Sequence, residues 1–361
     1  MWTLTDMTYQ GLKNHTAFTA EPLLLADEQG RDVLVVLVKC TYHIQAQGKL
    51  VLAETQTPLC LAGEYWGEPG LSSLKYAPEC AFNKTATDVA LIAHAYAPKG
   101  TAVTALEVSL RVGPLYKTVR VIGDRLWHKS FMGMLGNSWE MSPPQTFTTM
   151  PLVYERAFGG KDTTPEKPAQ HEYEYRNTIG AGLIAKHSQH QQDIPLPNLE
   201  DPRALITDIS DRPPPAGFGF ITPDCQPRLN HAGKYDSAWQ KTRMPLLPLD
   251  FNPQFFNAAH PELIAPGFLS GEEPVEIINA VPEGKLNFTL PGDKPQVQLT
   301  LSGEDPLELE VTLDSVIINT DERSLMMLWR ANANVYQRLY DIETVVVTPK
   351  LGMVQLQEKV A

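Results

Sequence analysis

Apolar positions fall into two groups of short runs, separated by a long stretch with a different rhythm. Asp32–Ile44 (DVLVVLVKCTYHI) is β-branched, too short and too apolar for a surface helix, and reads as a buried strand. Asp88–Tyr96 (DVALIAHAY) repeats the theme. Ala105–Val112 (ALEVSLRV) alternates apolar and polar, and Lys117–Trp127 (KTVRVIGDRLW) alternates again after a Gly113–Pro114 break. Such alternation marks antiparallel strands with one face toward water.

The second group lies near the other end. Val275–Ile278, Lys285–Leu290, Gln296–Leu301 and Leu307–Asn319 are predicted strands separated by turn formers such as Pro291-Gly292-Asp293. Ser324–Arg330 and Asp341–Thr348 complete it. Met326–Tyr340 also admits a helix, since Leu328, Val335 and Leu339 share a helical face, but Asn332 and Asn334 favour a turn there.

Between the groups, periodicity gives way to proline, glycine and aromatic residues. Of 30 prolines, sixteen lie between Pro143 and Pro253, in clusters such as Pro213-Pro214-Pro215. A flexible linker would be polar and poor in aromatics. This stretch keeps Tyr154, Phe158, Phe218, Phe220, Tyr235, Trp239 and Phe251, which predicts an ordered irregular segment packed on the sheets. The expected fold is therefore mainly β: antiparallel, sandwich-like sheets from the N- and C-terminal parts with a long ordered middle segment. The boundaries fall at 1–140, 141–260 and 261–361.

With 361 residues, the chain is long enough for about two domains or one large sheet-rich unit. Its 42 acidic and 30 basic residues give a net charge of −12, which argues against nucleic acid as a partner. The longest apolar run, Val33–Val38, is far short of the ~20 residues a spanning helix needs, so no membrane is expected. The N-terminal MWTLTDMTYQ has no basic region followed by an apolar stretch, and a cytoplasmic location is expected. Cys40, Cys60, Cys80 and Cys225 form no C-x-x-C pair and read as thiols in a reducing compartment.

Catalytic signatures are absent: no H-E-x-x-H, no Gly-x-Ser-x-Gly and no phosphate loop. Gly180-Ala181-Gly182 lacks the third glycine of a dinucleotide loop. His187, His190 and Asp193 have helical spacing for a metal, but read as a solvated loop, so neither metal nor cofactor is expected. Asp208, Asp211, Asp224, His231 and Asp236 could converge as a hydrolase set, which keeps a glycan- or cell-wall-directed hydrolase using Asp211, His231 and Asp236 as an alternative. Glu155, Arg156 and Arg212 fit charge-assisted hydrogen bonds that fix loops. The interleaved aromatic and arginine residues instead suit protein recognition. The candidate contacts are Tyr154, Arg156, Phe158, Arg212, Phe218, Arg228, Tyr235 and Trp239.

Several blocks carry a family resemblance: MPLVYERAFGG (Met150–Gly160), LPNLEDP (Leu196–Pro202), RPPPAGFGF (Arg212–Phe220), PRLNHAGKYDSAW (Pro227–Trp239), MPLLPLDFNPQFFNAA (Met244–Ala259) and LMMLWR (Leu325–Arg330). In this order the chain resembles the bacterial domain-of-unknown-function 2169 family. That resemblance implies a cytoplasmic, non-enzymatic type VI secretion adaptor or chaperone. It would bind a PAAR-containing effector and promote its loading onto the VgrG spike. A structural subunit of the spike is a further alternative.

Overall fold

Asp32–Ile44 is a single thirteen-residue strand at the centre of a six-stranded sheet in the computed structural model, which describes residues 11–129, 139–186 and 193–349. Thr19–Ala26 and, further along, Leu50–Leu52 pair with one side of it, and Ser324–Asn334 with the other. Val311–Asn319 follows, and Asp88–Ile92 closes the sheet in parallel with it. A five-stranded sheet joins Ala105–Val112 and Leu115–Ile122 to Pro274–Ile278, Lys285–Thr289 and the short Leu199–Glu200. A four-stranded sheet is built from Leu12–Asn14, Ile342–Thr348, Gln296–Leu301 and Leu307–Leu309. The protein is mainly β, with several antiparallel sheets and no closed barrel among the described residues.

One face of each of these sheets enters a shared core, represented by Val36, Val38, Leu110, Ile277, Leu299 and Val347. The opposite face of the six-stranded sheet is covered as well. Leu59 and Leu61 lie against Val35 and Leu37, while Leu74, Phe220 and Ala258 lie against Ala90, Ile317 and Met326. Burial on both faces is why the central strand is apolar almost throughout, each buried Val or Leu contributing about 1.5–3 kcal/mol.

The helical alternative for Met326–Tyr340 is not taken up: Ser324–Asn334 is a strand, followed by a 3₁₀ turn at Leu339–Asp341. Eleven consecutive pairings with the central strand outweigh the local turn preference of Asn332 and Asn334. Thr19–Ala26 escaped the sequence reading because Pro22 interrupts it, yet an edge strand tolerates proline.

Between the two apolar islands on the covered face runs a row of charge. Strand register places Asp88, Ser315, Leu328 and Lys39 side by side across four strands. Lys84 reaches this row from a loop, its Nζ 2.9 Å from Asp88 and 2.7 Å from Asp314. Arg330 pairs with the other oxygen of Asp314 and donates to the Glu79 and Ala81 carbonyls, while Glu79 accepts from Lys39 at 2.7 Å. All six charged groups are buried, three cations against three carboxylates. Burial alone would raise the Asp314 carboxyl, but Arg330 and Lys84 overcome it and hold the group at about 2.

The middle segment finishes the structure. Leu91 on the outermost strand donates its N–H to the Phe218 carbonyl at 3.0 Å, and Ile221 donates to Ala258 at 2.7 Å. The RPPPAGFGF and FFNAA blocks thus cover an edge that would otherwise be open. Among the described residues no helix is long and apolar enough to cross a membrane, and the one α-helix is Ser237–Thr242. All four cysteines are free, with Cys40 and Cys225 buried.

Candidate functional site

The eight candidate contacts divide evenly between interior and surface. Tyr154 opens a 3₁₀ turn and is buried beneath Gly217, where a Cβ would stand 2.9 Å from its ring. Its carbonyl and that of Phe158 both accept from Asn177 Nδ2. Phe158 packs with Trp127, Ile194, Leu196 and Ile206, and Phe218 is part of the main core. Arg228 is buried too, donating to the Phe255 and Ile221 carbonyls at 2.8 and 2.9 Å. Its guanidinium lies over the Phe255 ring at 5.2 Å, beside an edge-to-face cluster of Phe82, Phe251 and Phe256. These four shape the segment from within.

The other four reach the surface. Arg156 donates to Asn198 Oδ1 at 2.9 Å, and Arg212 donates to the carbonyls of Ile209, Asp211 and Ile184. Glu155 accepts from both the N–H and the hydroxyl of Ser73 at 2.7 Å. All three therefore fix loops, as their chemistry suggested. Tyr235 and Trp239 form an edge-to-face pair with centroids 4.7 Å apart, set by the helix that Asp236 caps through Ala238 and Trp239 N–H. Trp239 Nε1 donates to Leu246 O, which ties the helix to the MPLLPLD strap.

That strap adds two side chains the sequence reasoning did not select, Met244 and Leu249, the latter 86% exposed. The available signal was Pro245 and Pro248: prolines flanking apolar residues in a segment with no strand period leave those residues at the surface. Tyr235, Trp239, Met244 and Leu249 belong to one connected unit, tied by the Trp239–Leu246 and Arg243–Leu247 hydrogen bonds.

The hydrolase set is drawn into local structure. Asp211 accepts from the N–H groups of Thr207 and Asp208 at 2.8 Å, Asp236 caps its helix, and His231 ends a 3₁₀ turn. No hydrogen bond joins the three side chains among the described residues. His187 and His190 lie outside the described residues, and no metal-sized cluster of His, Cys, Asp and Glu occurs among the described ones.

A pocket of about 280 Å³ opens in the same segment. Pro214, Pro215, Pro227, Pro261, Ile221 and the Tyr154 ring give it apolar walls, and Arg176, Asp201, Arg203, Gln226, His260 and Glu262 complete it. Beneath lies Lys117, which donates to Glu262 at 2.7 Å; its pKa is lowered because burial outweighs that carboxylate. His260 Nδ1 accepts the Glu262 N–H at 3.2 Å, its Nε2 lies 3.3 Å from Lys117 Nζ, and the ring bonds the Pro215 backbone. Burial, then the Lys117 charge, lowers His260 to about 3, so the ring is neutral and its 3.9 Å approach to Glu262 is no ion pair. Arg203 holds Asp201 at about 2 by hydrogen bonding.

Fold and surface together define a β scaffold that displays a proline-braced, aromatic-rich segment. The chain belongs to the family described as an uncharacterized protein conserved in bacteria (DUF2169), whose model matches residues 29–330. Neither the curated proteins nor the solved structures yield a match.

Proposed function

We propose that this chain is a non-enzymatic cytoplasmic adaptor or chaperone that binds a PAAR-containing type VI secretion effector and promotes its loading onto the VgrG spike. The observation that carries the reading is the apolar unit of exposed Tyr235, Met244 and Leu249 beside half-buried Trp239, on a hydrogen-bonded, proline-braced segment. Side chains held in this way lose little entropy on binding, which favours recognition. The net charge of −12 steers basic clients toward the chain and keeps the unloaded adaptor dispersed.

Co-expression with a PAAR-containing effector from the same genome, followed by pull-down and size exclusion, tests the proposal. A complex, with effector solubility and secretion that fall when the chain is removed, is the expected result. No complex and unchanged secretion would sink it.

A further inference from the structure

The hydrogen-bonding capacity left over around the proline-lined pocket is one-sided. Arg176 uses Nε and Nη2 on Glu174, with Nη2 also reaching the Arg212 carbonyl. Arg203 uses Nε and Nη2 on Asp201 and Nη2 on Glu262. A guanidinium carries five N–H donors, so the Nη1 group of each arginine keeps two donors without a partner among the described residues. The carboxylates are spent by comparison: Glu262 is shared between Lys117 and Arg203, and Asp201 takes three hydrogen bonds from Arg203. Arg203 is 71% exposed, against 32% for Glu262 and 10% for Asp201, so a ligand at the mouth meets its guanidinium first. Gln226, whose side chain has no partner among the described residues, adds one amide donor and one acceptor. Below these groups the walls are proline, Ile221 and the Tyr154 ring.

We propose that this pocket binds the carboxyl-terminal residue of a polypeptide with an apolar side chain. The α-carboxylate pairs with the free Nη1 donors of Arg176 and Arg203, and the side chain fills the proline-lined cavity. The last peptide group, a donor and an acceptor together, matches the Gln226 amide. A volume of about 280 Å³ holds one side chain of leucine or phenylalanine size with its carboxylate. An internal residue would bring the side chain without the charge, and an acidic side chain the charge without the apolar body. The polypeptide source rests on the protein-binding reading above, whereas the pocket chemistry stands without it.

Isothermal titration of the full chain tests this with three probes. These are an acetylated glycine–serine hexapeptide ending in leucine as the free acid, the same peptide as its amide, and hexanoate. The acid binds at least about tenfold more tightly than the amide, because charge-assisted hydrogen bonds are lost on amidation. It also binds more tightly than hexanoate, which lacks the peptide group. Arg203→Gln narrows the gap between acid and amide, Arg176 keeping its share of the carboxylate, and Gln226→Ala weakens the acid without altering the thermal midpoint. Equal binding of acid and amide, or no binding, overturns the proposal. Hexanoate binding as tightly as the peptide makes the pocket a small-acid site and overturns the polypeptide assignment. A failed effector pull-down with intact peptide binding removes the adaptor reading alone.

Discussion

Arg330 Nε donates to Asp314 Oδ2 at 2.6 Å inside the covered face of the six-stranded sheet, with both side chains 2% exposed. Neither charge has water to fall back on. Removing one leaves the other uncompensated, which costs about 3–5 kcal/mol in comparable buried pairs. Arg330→Met is therefore expected to lower the urea-unfolding free energy by about that amount. Adding Asp314→Leu recovers part of the loss, since Lys84 retains Asp88 at 2.9 Å. A single variant as stable as the parent would mean that the network carries no such cost.

Acid titration separates two groups by window. A carboxylate held below its ordinary value contributes stability that is present above the unfolded pKa and lost as pH falls through the folded one. For Asp314 that loss runs from about 4 down to about 2. His260 is also lowered, from 6.5 to about 3, so the folded state prefers the neutral ring. Its contribution is complete above 6.5 and declines as pH falls, because the unfolded chain takes up the proton first. By pH 4.5 the His260 loss reaches roughly 2–3 kcal/mol at 1.36 kcal/mol per unit. His260→Gln is expected to flatten the stability profile between pH 6.5 and 4.5, and chemical denaturation across that range checks it. A profile that keeps the parent slope rules out His260 as its source.

Gly48 shows how the five-stranded sheet closes its free edge. The turn at Ala46–Gly48 packs against Lys285–Thr289, the outermost strand, and a Cβ at Gly48 would stand 1.8 Å from the Asn287 carbonyl oxygen at a φ of +81°. Gly48→Ala thus meets both a left-handed backbone and a backbone clash, and a loss above 3 kcal/mol is expected. Gly303 is the control, with φ +77° but nothing within 4 Å, and its alanine variant costs about 1 kcal/mol. Thermal and urea unfolding of the two variants side by side decide the matter; equal losses would show that edge contact adds nothing.

The strands were legible because side-chain period is a local property. Asp32–Ile44, Ala105–Val112 and Gln296–Leu301 begin and end where their patterns do. The charge row left a local trace as well: Lys39, Asp314 and Arg330 each interrupt an apolar run. Their partners depend on strand register and on loops more than 200 residues away, as with Lys84 and Asp314, and no local pattern encodes that. The candidate contact residues were harder still. Aromatic and arginine side chains serve core and surface equally well, so residue type alone could not separate Phe218 from Tyr235. Prolines and glycines mark where the segment is braced, but which side faces water is decided by docking on the Asp88–Ile92 edge.

That separation yields a test in which stability and binding part company. Leu249 and Tyr235 are exposed, and surface substitutions away from caps and networks usually change stability by no more than about 0.5 kcal/mol. Phe218 is fully buried, and truncating a buried phenylalanine costs about 3–5 kcal/mol. On the adaptor reading, Leu249→Ser with Tyr235→Ala keeps the unfolding midpoint of the parent yet weakens effector capture by tenfold or more, as expected for anchors of an interface. Phe218→Ala loses midpoint and capture together, because it opens a cavity in the main core without touching the client. Quantitative pull-down paired with thermal unfolding distinguishes them. If the surface pair captures effector as well as the parent does, the client docks elsewhere on the segment, and the Tyr235–Leu249 unit is not the interface.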